Sequence, residues 1–360
     1  MIKIKKLGYL FVCAVLLVLA ACGSTSTGSN SADASANHAA NNDSAASSGD
    51  KIRLSYAFFS PPETYPGVVA QMWADELKER TNGRVETEIY FSGTLLDASN
   101  MLDGVANGIA DIGLMALSYE PGKFPLIEIA EINRGLYHAE SASQIMNKLI
   151  EEYPPEVLQN YEILKVFTTD GMAIMSIDPI SSLETIKGKQ LRIGGALTPV
   201  LERLGAVPVG MSQAESIEAL QTGVIDGTVG DRQTLKTVRI AEMVNYFTDY
   251  PLAVTTLVAI MNKDKYNSLP DDVKQVLQEM KQEYPAKAGR YLDENTEEAI
   301  QWAINEHGVQ KITLDPAEKE KWDNLLIELQ NEYIRKAAEQ GLPAEEFKAR
   351  LDELVQEYAK

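Results

Sequence analysis

The chain has 360 residues and a formal net charge of −19, from 52 acidic and 33 basic side chains. Such an acidic balance argues against nucleic acid as a partner and against electrostatic attachment to an anionic lipid surface. The length allows two domains beyond the N-terminal segments.

Residues 1–21 have the composition of a signal peptide. Lysines precede an apolar stretch that is too short to span a membrane as a helix. Residues 19–22, Leu-Ala-Ala-Cys, resemble a lipobox and predict a lipid on Cys22. That lipid would hold the protein extracytoplasmically, on the outer face of a bacterial cell membrane. An ordinary signal peptide cleaved near Ala21, without lipid, is the alternative.

Residues 22–50 predict a flexible lipoprotein tether. They are mainly Ser, Ala, Asn, Gly and Thr, with too little apolar surface to become ordered. As a coil they would span roughly 30 Å. Both cysteines, Cys13 and Cys22, lie in these N-terminal segments, and the three histidines show no metal-ligand spacing. We therefore expect no disulfide, no metal site and no cofactor in the folded part.

Residues 51–171 predict the alternating strands and helices of a first lobe. Their β-branched and aromatic content favours strands at residues 51–59, 85–91, 109–114 and 163–167. Apolar residues at helical spacing favour helices at residues 66–80, 98–107, 141–150 and 156–159. Pro61 and Pro62 should end the first strand.

Residues 186–227 predict a compact βαβα unit. Strands are expected at residues 190–193 and 207–209, and helices at residues 198–204 and from Met211 onward. Gly205 and Gly223 stand where left-handed helix caps are expected, and residues 224–226 should open the next strand. Arg192 lies at the carboxyl end of the first strand, the edge at which open α/β sheets bind ligands.

An internal similarity links the two halves of the chain. A pattern of helix, glycine, strand and aspartate recurs at a spacing of 115 residues, where Leu102, Val105, Gly108 and Asp111 match Ile217, Leu220, Gly223 and Asp226. Independent use of the same helix-capping pattern is the alternative. Two copies of one βαβ pattern are also what two similar lobes flanking a cleft would show, as in hinged binding proteins.

The remaining elements predict connections between the lobes. Residues 172–177 should lead from the first lobe to the second, and residues 253–261 should form the return strand. A helix from Leu269 to about Glu306 should kink or break at Pro285, because proline removes a helical hydrogen bond. After Asp315 the chain is charged, amphipathic and helical, as expected for helices packed on the outside of a lobe.

These elements together predict an α/β protein with a two-lobed, periplasmic-binding-protein-like fold and a hinged interdomain cleft. Lobe I would comprise residues 51–171 and 253–290, and lobe II residues 172–252. Residues 291–360 would supply the crossing and C-terminal helices packed on the lobes.

The central unit also resembles the DctP-type substrate-binding proteins of tripartite ATP-independent periplasmic (TRAP) transporters. The similarity rests on Lys187-Gly188 to Arg192, on Leu204 to Met211 and on Ala219 to Gly227. Shorter similarities extend through residues 51–310. In that family the strand arginine binds the carboxylate of the ligand, which implies this role for Arg192.

The chain departs from the family pattern at Gly171-Met172-Ala173, where the family often has Gly-Phe-Arg. The second arginine, an additional anion contact, is therefore missing. Its absence favours a monocarboxylate with an apolar or larger body over a small dicarboxylate, with Met172 as an adaptable wall. Met172 as an ordinary core residue is the alternative. Arg134 is a candidate replacement for the missing contact, although nothing local fixes its direction.

Further ligand-binding candidates follow the strand ends. Strand alternation allows one of Phe58 and Phe59 to face the cleft, and we assign Phe59. Tyr119 lies in a loop at the same edge, and Gly195 would let a ligand approach the backbone. Asp231 would contact polar groups of the ligand, with pairing to the adjacent arginine or helix capping as alternatives.

These observations predict an extracytoplasmic solute-binding lipoprotein that captures an organic acid. The resemblance implies TRAP membrane permease subunits as its partners. An enzyme is not favoured, because the cleft candidates include no His, Cys or paired carboxylates arranged for catalysis. The alternatives are a sensor subunit that presents its ligand to a receptor kinase and an ABC-type solute-binding protein.

Overall fold

The computed structural model describes residues 50–132 and 135–358. Its strands are β1 (Ile52–Phe58), β2 (Val85–Tyr90), β3 (Ile112–Ala116), β4 (Tyr161–Thr168), β5 (Ala173–Ser176), β6 (Gln190–Ile193), β7 (Val207–Gly210), β8 (Gly227–Gly230), β9 (Tyr246–Thr248), β10 (Thr256–Asn262) and β11 (Gln310–Ile312). The predicted signal peptide, the lipid-bearing Cys22 with its tether up to residue 49, and Arg134 lie outside the described residues.

Helices lie between many of these strands along the chain. They are α1 (Tyr65–Arg80), α2 (Met101–Ala106), α3 (Pro125–Glu131), α4 (Ala139–Glu152), α5 (Leu183–Ile186), α6 (Thr198–Leu204), α7 (Gln213–Gln221), α8 (Thr234–Thr237), α9 (Lys263–Ser268), α10 (Asp271–His307), α11 (Pro316–Glu339) and α12 (Ala344–Tyr358). In the described part of the chain, none of them is long and apolar enough to cross a membrane.

The first sheet has the strand order β2-β1-β3-β10-β4. Strand β1 is parallel to β2 and β3, whereas β10 is antiparallel to β3 and β4. All residues of the central strand β3 are buried, as expected where both faces of a sheet are covered. Because β1 and β3 are parallel, their carboxyl ends at Phe58 and Ala116 meet at one edge of the sheet.

The second sheet has the strand order β11-β9-β5-β8-β6-β7. Strand β6 is parallel to β7 and β8, and β5 is antiparallel to β8 and β9. The carboxyl ends of β6 and β8, at Ile193 and Gly230, therefore lie at the same edge of this sheet. The chain is thus an α/β protein with two sheets, the architecture predicted from the sequence.

Two long helices contact both halves of the molecule. Helix α10 packs on α4 and β4 beside the first sheet and on α8 beside the second. Helix α11 packs on both α3 and α6, and Arg203 of α6 forms an ion pair with Glu332 of α11 at 2.5 Å. These helices join the two sheets in addition to the connections from β4 to β5 and from β9 to β10.

The repeated sequence pattern corresponds to a repeated structure. Gly108 and Gly223 both adopt left-handed conformations, with φ of +70° and +71°. Downstream, Asp111 accepts a hydrogen bond from the backbone N–H of Ser55 at 2.8 Å, and Asp226 accepts one from the backbone N–H of Gln190 at 2.8 Å. Each aspartate therefore ties its own segment to the neighbouring parallel strand, which is a structural role.

The strands after these glycines begin later than the sequence predicts. Strand β3 begins at Ile112 rather than at residue 109, and β8 begins at Gly227 rather than at residue 224. The backbone N–H of Ile109 donates to the carbonyl of Gly104, and that of Val224 donates to the carbonyl of Ala219. The residues after each glycine are thus still bonded to the preceding helix, as in a Schellman cap.

Of the kink or break predicted at Pro285, the break is absent, since α10 continues from Asp271 to His307. This helix packs closely on α4. A side chain on Gly289 would place its Cβ 2.3 Å from the carbonyl oxygen of Ala139, so the glycine permits close approach of α10 to α4. One turn later, Asp293 accepts hydrogen bonds from the backbone N–H groups of Ala139 and Glu140, at the first turn of α4.

Candidate functional site

A cavity lies where the carboxyl edges of the two sheets meet, and its empty space, together with the open solvent at its mouth, is about 540 Å³. From the side of the first sheet it is lined by Phe58, Phe59, Ser60, Thr64, Pro66, Ala116, Ser118, Tyr119, Thr169, Thr255 and Leu257. From the side of the second sheet it is lined by Met172, Arg192, Gly194, Gln213, Gly230, Asp231 and Thr234. The residues predicted to bind ligand therefore come together here, except for Gly195.

Arg192 projects from β6 into this cavity and is 3% exposed. Its Nε donates to the carbonyl of Met211 at 3.0 Å. Its Nη1 donates to the side-chain oxygen of Gln213 at 2.8 Å and to the carbonyl of Val229 at 3.1 Å. Its Nη2 donates to the hydroxyl of Tyr119 at 2.9 Å. All four acceptors are neutral, so this buried cation has no carboxylate as a hydrogen-bond partner among the described residues.

The hydroxyl of Tyr119 bridges the two halves of the cleft. Besides the hydrogen bond from Arg192, it accepts one from the backbone N–H of Gln213 at 2.9 Å. A tyrosine hydroxyl that accepts two hydrogen bonds still carries its own proton. That proton is available for a ligand oxygen beside the guanidinium.

Aromatic rings form the opposite wall of the cavity. The rings of Phe58 and Phe59 lie 4.8 Å apart, and the rings of Phe59 and Tyr119 lie 5.2 Å apart in an edge-to-face arrangement. Both phenylalanines line the cavity, which differs from the expectation that one would face it. Strand alternation does not apply across this pair, because β1 ends at Phe58.

The two glycines that follow β6 have different surroundings. Gly194 lines the cavity, and a Cβ on it would lie 2.7 Å from the hydroxyl oxygen of Ser118. Gly195 faces away, and a Cβ on it would meet Pro121 at 3.1 Å. Close approach of the two lobes therefore requires the first glycine more strictly than the second.

Two further predicted residues occupy the side of the cavity near the lobe connections. Met172 is buried, and its sulfur accepts a hydrogen bond from the hydroxyl of Thr255 at 3.5 Å. Asp231 is 9% exposed, and its Oδ1 has no hydrogen-bond partner among the described residues. Burial first, and the charge of Asp170 second, raise the pKa of Asp231 to about 7.

Arg232 does not line the cavity but holds the lobe connections together. It donates to the carbonyl of Gly171 and to Asp170 at 3.3 Å, in the connection from β4 to β5. It also donates to Asp249 at 2.9 Å, in the connection from β9 to β10. Lys311 completes the cluster with an ion pair to Asp249 at 2.7 Å. The connections from β4 to β5 and from β9 to β10 are thus fastened to one side chain.

Sequence reasoning missed Gln213 and several small hydroxyl-bearing residues of the cavity. Gln213 follows Ser212, whose capping box with Glu215 marks the start of α7. A polar residue at the first position of a helix that follows a strand end was the available signal. Among the described residues, no group of three or more His, Cys, Asp or Glu side chains is placed to hold a metal ion.

Two sheets that share a cleft lined from both sides define the class of two-lobed binding proteins. The chain belongs to the bacterial extracellular solute-binding protein family 7, DctP, which it matches over residues 57–337. This is the family of TRAP substrate-binding proteins to which the central unit is similar in sequence.

Individual relatives agree with this assignment. The C4-dicarboxylate-binding periplasmic protein DctP of Rhodobacter capsulatus is 24% identical over 309 residues, which is 82% of this chain and 90% of that protein. A TRAP periplasmic solute-binding protein from Desulfovibrio salexigens, in an open complex, is 35% identical with a TM-score of 0.75, covering 86% of this chain and 97% of that one.

A third relative has a known ligand class. It is a marine metagenome TRAP solute-binding protein specific for aromatic acid ligands, in complex with metahydroxyphenylacetate. It is 26% identical with a TM-score of 0.82, and the comparison covers 86% of this chain and 100% of that chain.

Proposed function

We propose that this protein captures a small organic monocarboxylate in its cleft and delivers it to TRAP membrane permease subunits. The observation that carries the proposal is the buried guanidinium of Arg192, all of whose hydrogen bonds go to neutral oxygen atoms. A buried guanidinium without a hydrogen-bonded carboxylate is costly, and a ligand carboxylate would supply that partner. Binding and lobe closure complete the task, so no catalytic step is involved.

The cavity wall favours an aromatic or otherwise apolar body for this acid. Phe58, Phe59 and Met172 line it, and Tyr119 adds the face of a fourth large side chain. Stacked and edge-to-face ring contacts contribute about 0.5–1.5 kcal/mol each beyond the burial of apolar area. The metagenome relative that is specific for aromatic acid ligands supports the same ligand class.

Ligand identification tests this proposal. Native mass spectrometry of protein purified without refolding would reveal a retained acid, and calorimetry with benzoate, 3-hydroxybenzoate and succinate would define the class. We expect the aromatic monocarboxylates to bind more tightly than succinate, because the described lining residues include a single arginine. Tight binding of succinate without measurable binding of either aromatic acid would contradict the proposal.

Ligand binding should close the cleft. We propose that residues 51–171 with 253–290 and residues 172–252 move as two lobes about the connections that Arg232 fastens. A ligand held by Arg192 and the aromatic wall adds contacts across the cleft, so the closed arrangement gains stability. Small-angle scattering should show a smaller radius of gyration after addition of the bound acid. An unchanged scattering curve at saturation would contradict the hinge assignment, and Arg192→Ala with the same acid is the control.

The membrane attachment is a separate proposal and rests on the sequence around Cys22. We propose that Cys22 carries a lipid and that residues 22–50 tether the folded part to the membrane near the permease. Cells grown with a fatty-acid analogue should label the wild-type protein and leave Cys22→Ala unlabelled. Equal labelling of both proteins would rule out lipidation at this residue.

A further inference from the structure

The lobe-connection side of the cavity holds hydrogen-bond acceptors without donors. The side chain of Asp231 lines the cavity and is more than nine-tenths buried, and its Oδ1 has no partner among the described residues. Oδ1 of Asp170, whose charge acts on Asp231, and Oε1 of Gln233, two positions further along the chain, are also buried without partners among those residues. An unpartnered buried polar group costs about 1–3 kcal/mol. What this region lacks is therefore a donor.

The pKa of Asp231 also indicates a buried carboxyl group that is short of partners. Its pKa is raised to about 7 because burial removes water from the carboxylate and because Asp170 adds a second negative charge. Backbone hydrogen bonds from Thr234 and from Asp231 itself lower this pKa only in part, and Oδ1 is left without a partner among the described residues. Arg192 is close enough for its charge to lower the pKa in part, yet it donates to other oxygen atoms.

Arg192 of β6 and Asp231, which directly follows β8, lie at different heights along these two neighbouring strands. Arg192 of β6 pairs with Thr228 of β8, and Asp231 follows that partner by three residues. Three residues of extended chain correspond to roughly 10 Å. That offset is measured along the backbone, and the two side chains converge on one cavity, so a ligand whose carboxylate binds at Arg192 can present a second group to Asp231.

We infer that the ligand of this cavity carries a hydrogen-bond donor, a hydroxyl or an N–H group, in addition to its carboxylate, and that Asp231 binds this donor. The inference rests on the proposed function, in which Arg192 binds the carboxylate. It makes Asp231 the residue that determines specificity within the class of organic acids.

A dicarboxylate is disfavoured by the same geometry. A second ligand carboxylate at this position would face Asp231 and the nearby charge of Asp170, and like charges in a buried site repel strongly. A hydroxyl or N–H group instead donates to the unpartnered oxygen atom. A ligand with a neutral donor in place of a second carboxylate does not need a second arginine at Met172 or Ala173.

Matched pairs of acids test the inference by calorimetry. The pairs are the three hydroxybenzoates against benzoate, lactate against propionate, and pyroglutamate against cyclopentanecarboxylate. In whichever of the three pairs binds to the wild type, we expect the acid with the donor group to bind about tenfold or more tightly than the acid without it. An additional probe, 3-(aminomethyl)benzoate, distinguishes a cationic donor from a hydroxyl donor.

Variants of Asp231 then assign the preference to this residue. Asp231→Leu should reduce the preference to within about twofold, far below the tenfold that corresponds to ~1.4 kcal/mol. Asp231→Asn should keep part of it, because one acceptor oxygen remains. Asp178→Asn, an exposed aspartate paired with Lys189, is the control and should bind both acids of a pair like the wild type. Melting curves establish that each variant is folded.

The outcomes separate this inference from the proposed function. If both members of every pair bind equally to the wild type, and Arg192→Ala weakens both, the inference about Asp231 is overturned and the carboxylate site remains. If the donor preference persists unchanged in Asp231→Leu, the inference is likewise overturned. Binding of none of these acids, or binding that is indifferent to Arg192→Ala, would overturn the proposed function and this inference with it.

Discussion

Replacement of Arg192 by alanine should weaken binding of the acid by roughly thirty-fold to several-thousand-fold. Loss of one partner from a buried, hydrogen-bonded charge pair costs about 2–5 kcal/mol, and ~1.4 kcal/mol corresponds to tenfold in affinity. The arginine is buried in β6 at the cavity wall. The ligand carboxylate would then be transferred from water into a site without a counter-charge, which is the costly part.

Lysine should restore little of this affinity. The guanidinium already uses four of its N–H groups to hold Met211, Gln213, Val229 and Tyr119 in place. A lysine ammonium carries the charge but has three donors and no planar fork. Arg192→Lys would therefore leave acceptors of the cavity wall unpaired and would misplace Tyr119, whose hydroxyl proton we expect to contact the ligand.

Calorimetry with the identified acid measures this effect, and a melting curve shows whether each variant is folded. The matched control is Arg203→Ala, which removes a partly exposed arginine of the adjacent helix α6 from its ion pair with Glu332. That variant should bind the acid like the wild type. A folded Arg192→Ala protein that binds within about twofold of wild type, against the tenfold per ~1.4 kcal/mol expected, would contradict the carboxylate site.

The sequence predicts that Arg192 lies at the cavity because every signal for this position is local. A short apolar strand, a glycine pair and a following helix all lie within residues 190–204, and parallel strands place such a residue at the ligand-binding edge. Tyr119 and Asp231 were accessible in the same way, since each follows a strand end. Phe58 is buried in the core, as alternation predicts, but it also lines the cavity, because alternation applies within a strand and β1 ends at that residue.

The partners of these residues were not predictable, because they are set by long-range packing. The Tyr119 hydroxyl meets Gln213, which is 94 positions away in the chain, and the N-terminal turn of α4 is capped by Asp293, 154 positions from Ala139. Long-range packing also accompanies the uninterrupted course of α10 through Pro285. Local propensity predicts a break there, whereas α10 packs against α4 without one.

The cluster of Arg232 with Asp170, Asp249 and Lys311 is the clearest example of contacts set by long-range packing. It leads to a stability prediction. Arg232 and Asp170 have side chains that are 12% and 4% exposed and are 62 positions apart in the chain. Removal of one member of a buried ion pair typically costs about 3–5 kcal/mol, because the remaining charge stays buried. Arg232→Met should therefore lower the free energy of unfolding by about 3–5 kcal/mol near pH 8.

The size of this loss should depend on pH. Burial already raises the pKa of Asp170 to about 6 against an ordinary value of 3.8, although Arg232 lowers it in part. Without Arg232 the pKa of Asp170 in the folded state rises further, so the folded state binds the proton more tightly than the unfolded state does. The penalty is then complete above the folded-state pKa and shrinks as the pH falls towards the unfolded value.

Urea unfolding of wild type and Arg232→Met at several pH values between 5 and 8 measures this dependence. We expect the difference between the two proteins to be largest at pH 8 and smallest at pH 5. The control is Arg350→Met, which removes a surface ion pair with Glu152 and should cost about 0–1 kcal/mol at every pH. A loss for Arg232→Met that is no larger than the loss for Arg350→Met would show that the lobe connections do not depend on this arginine. A large loss that stays constant from pH 5 to pH 8 would instead place the cost in the bonds to Gly171 and Asp249 rather than in the charge of Asp170.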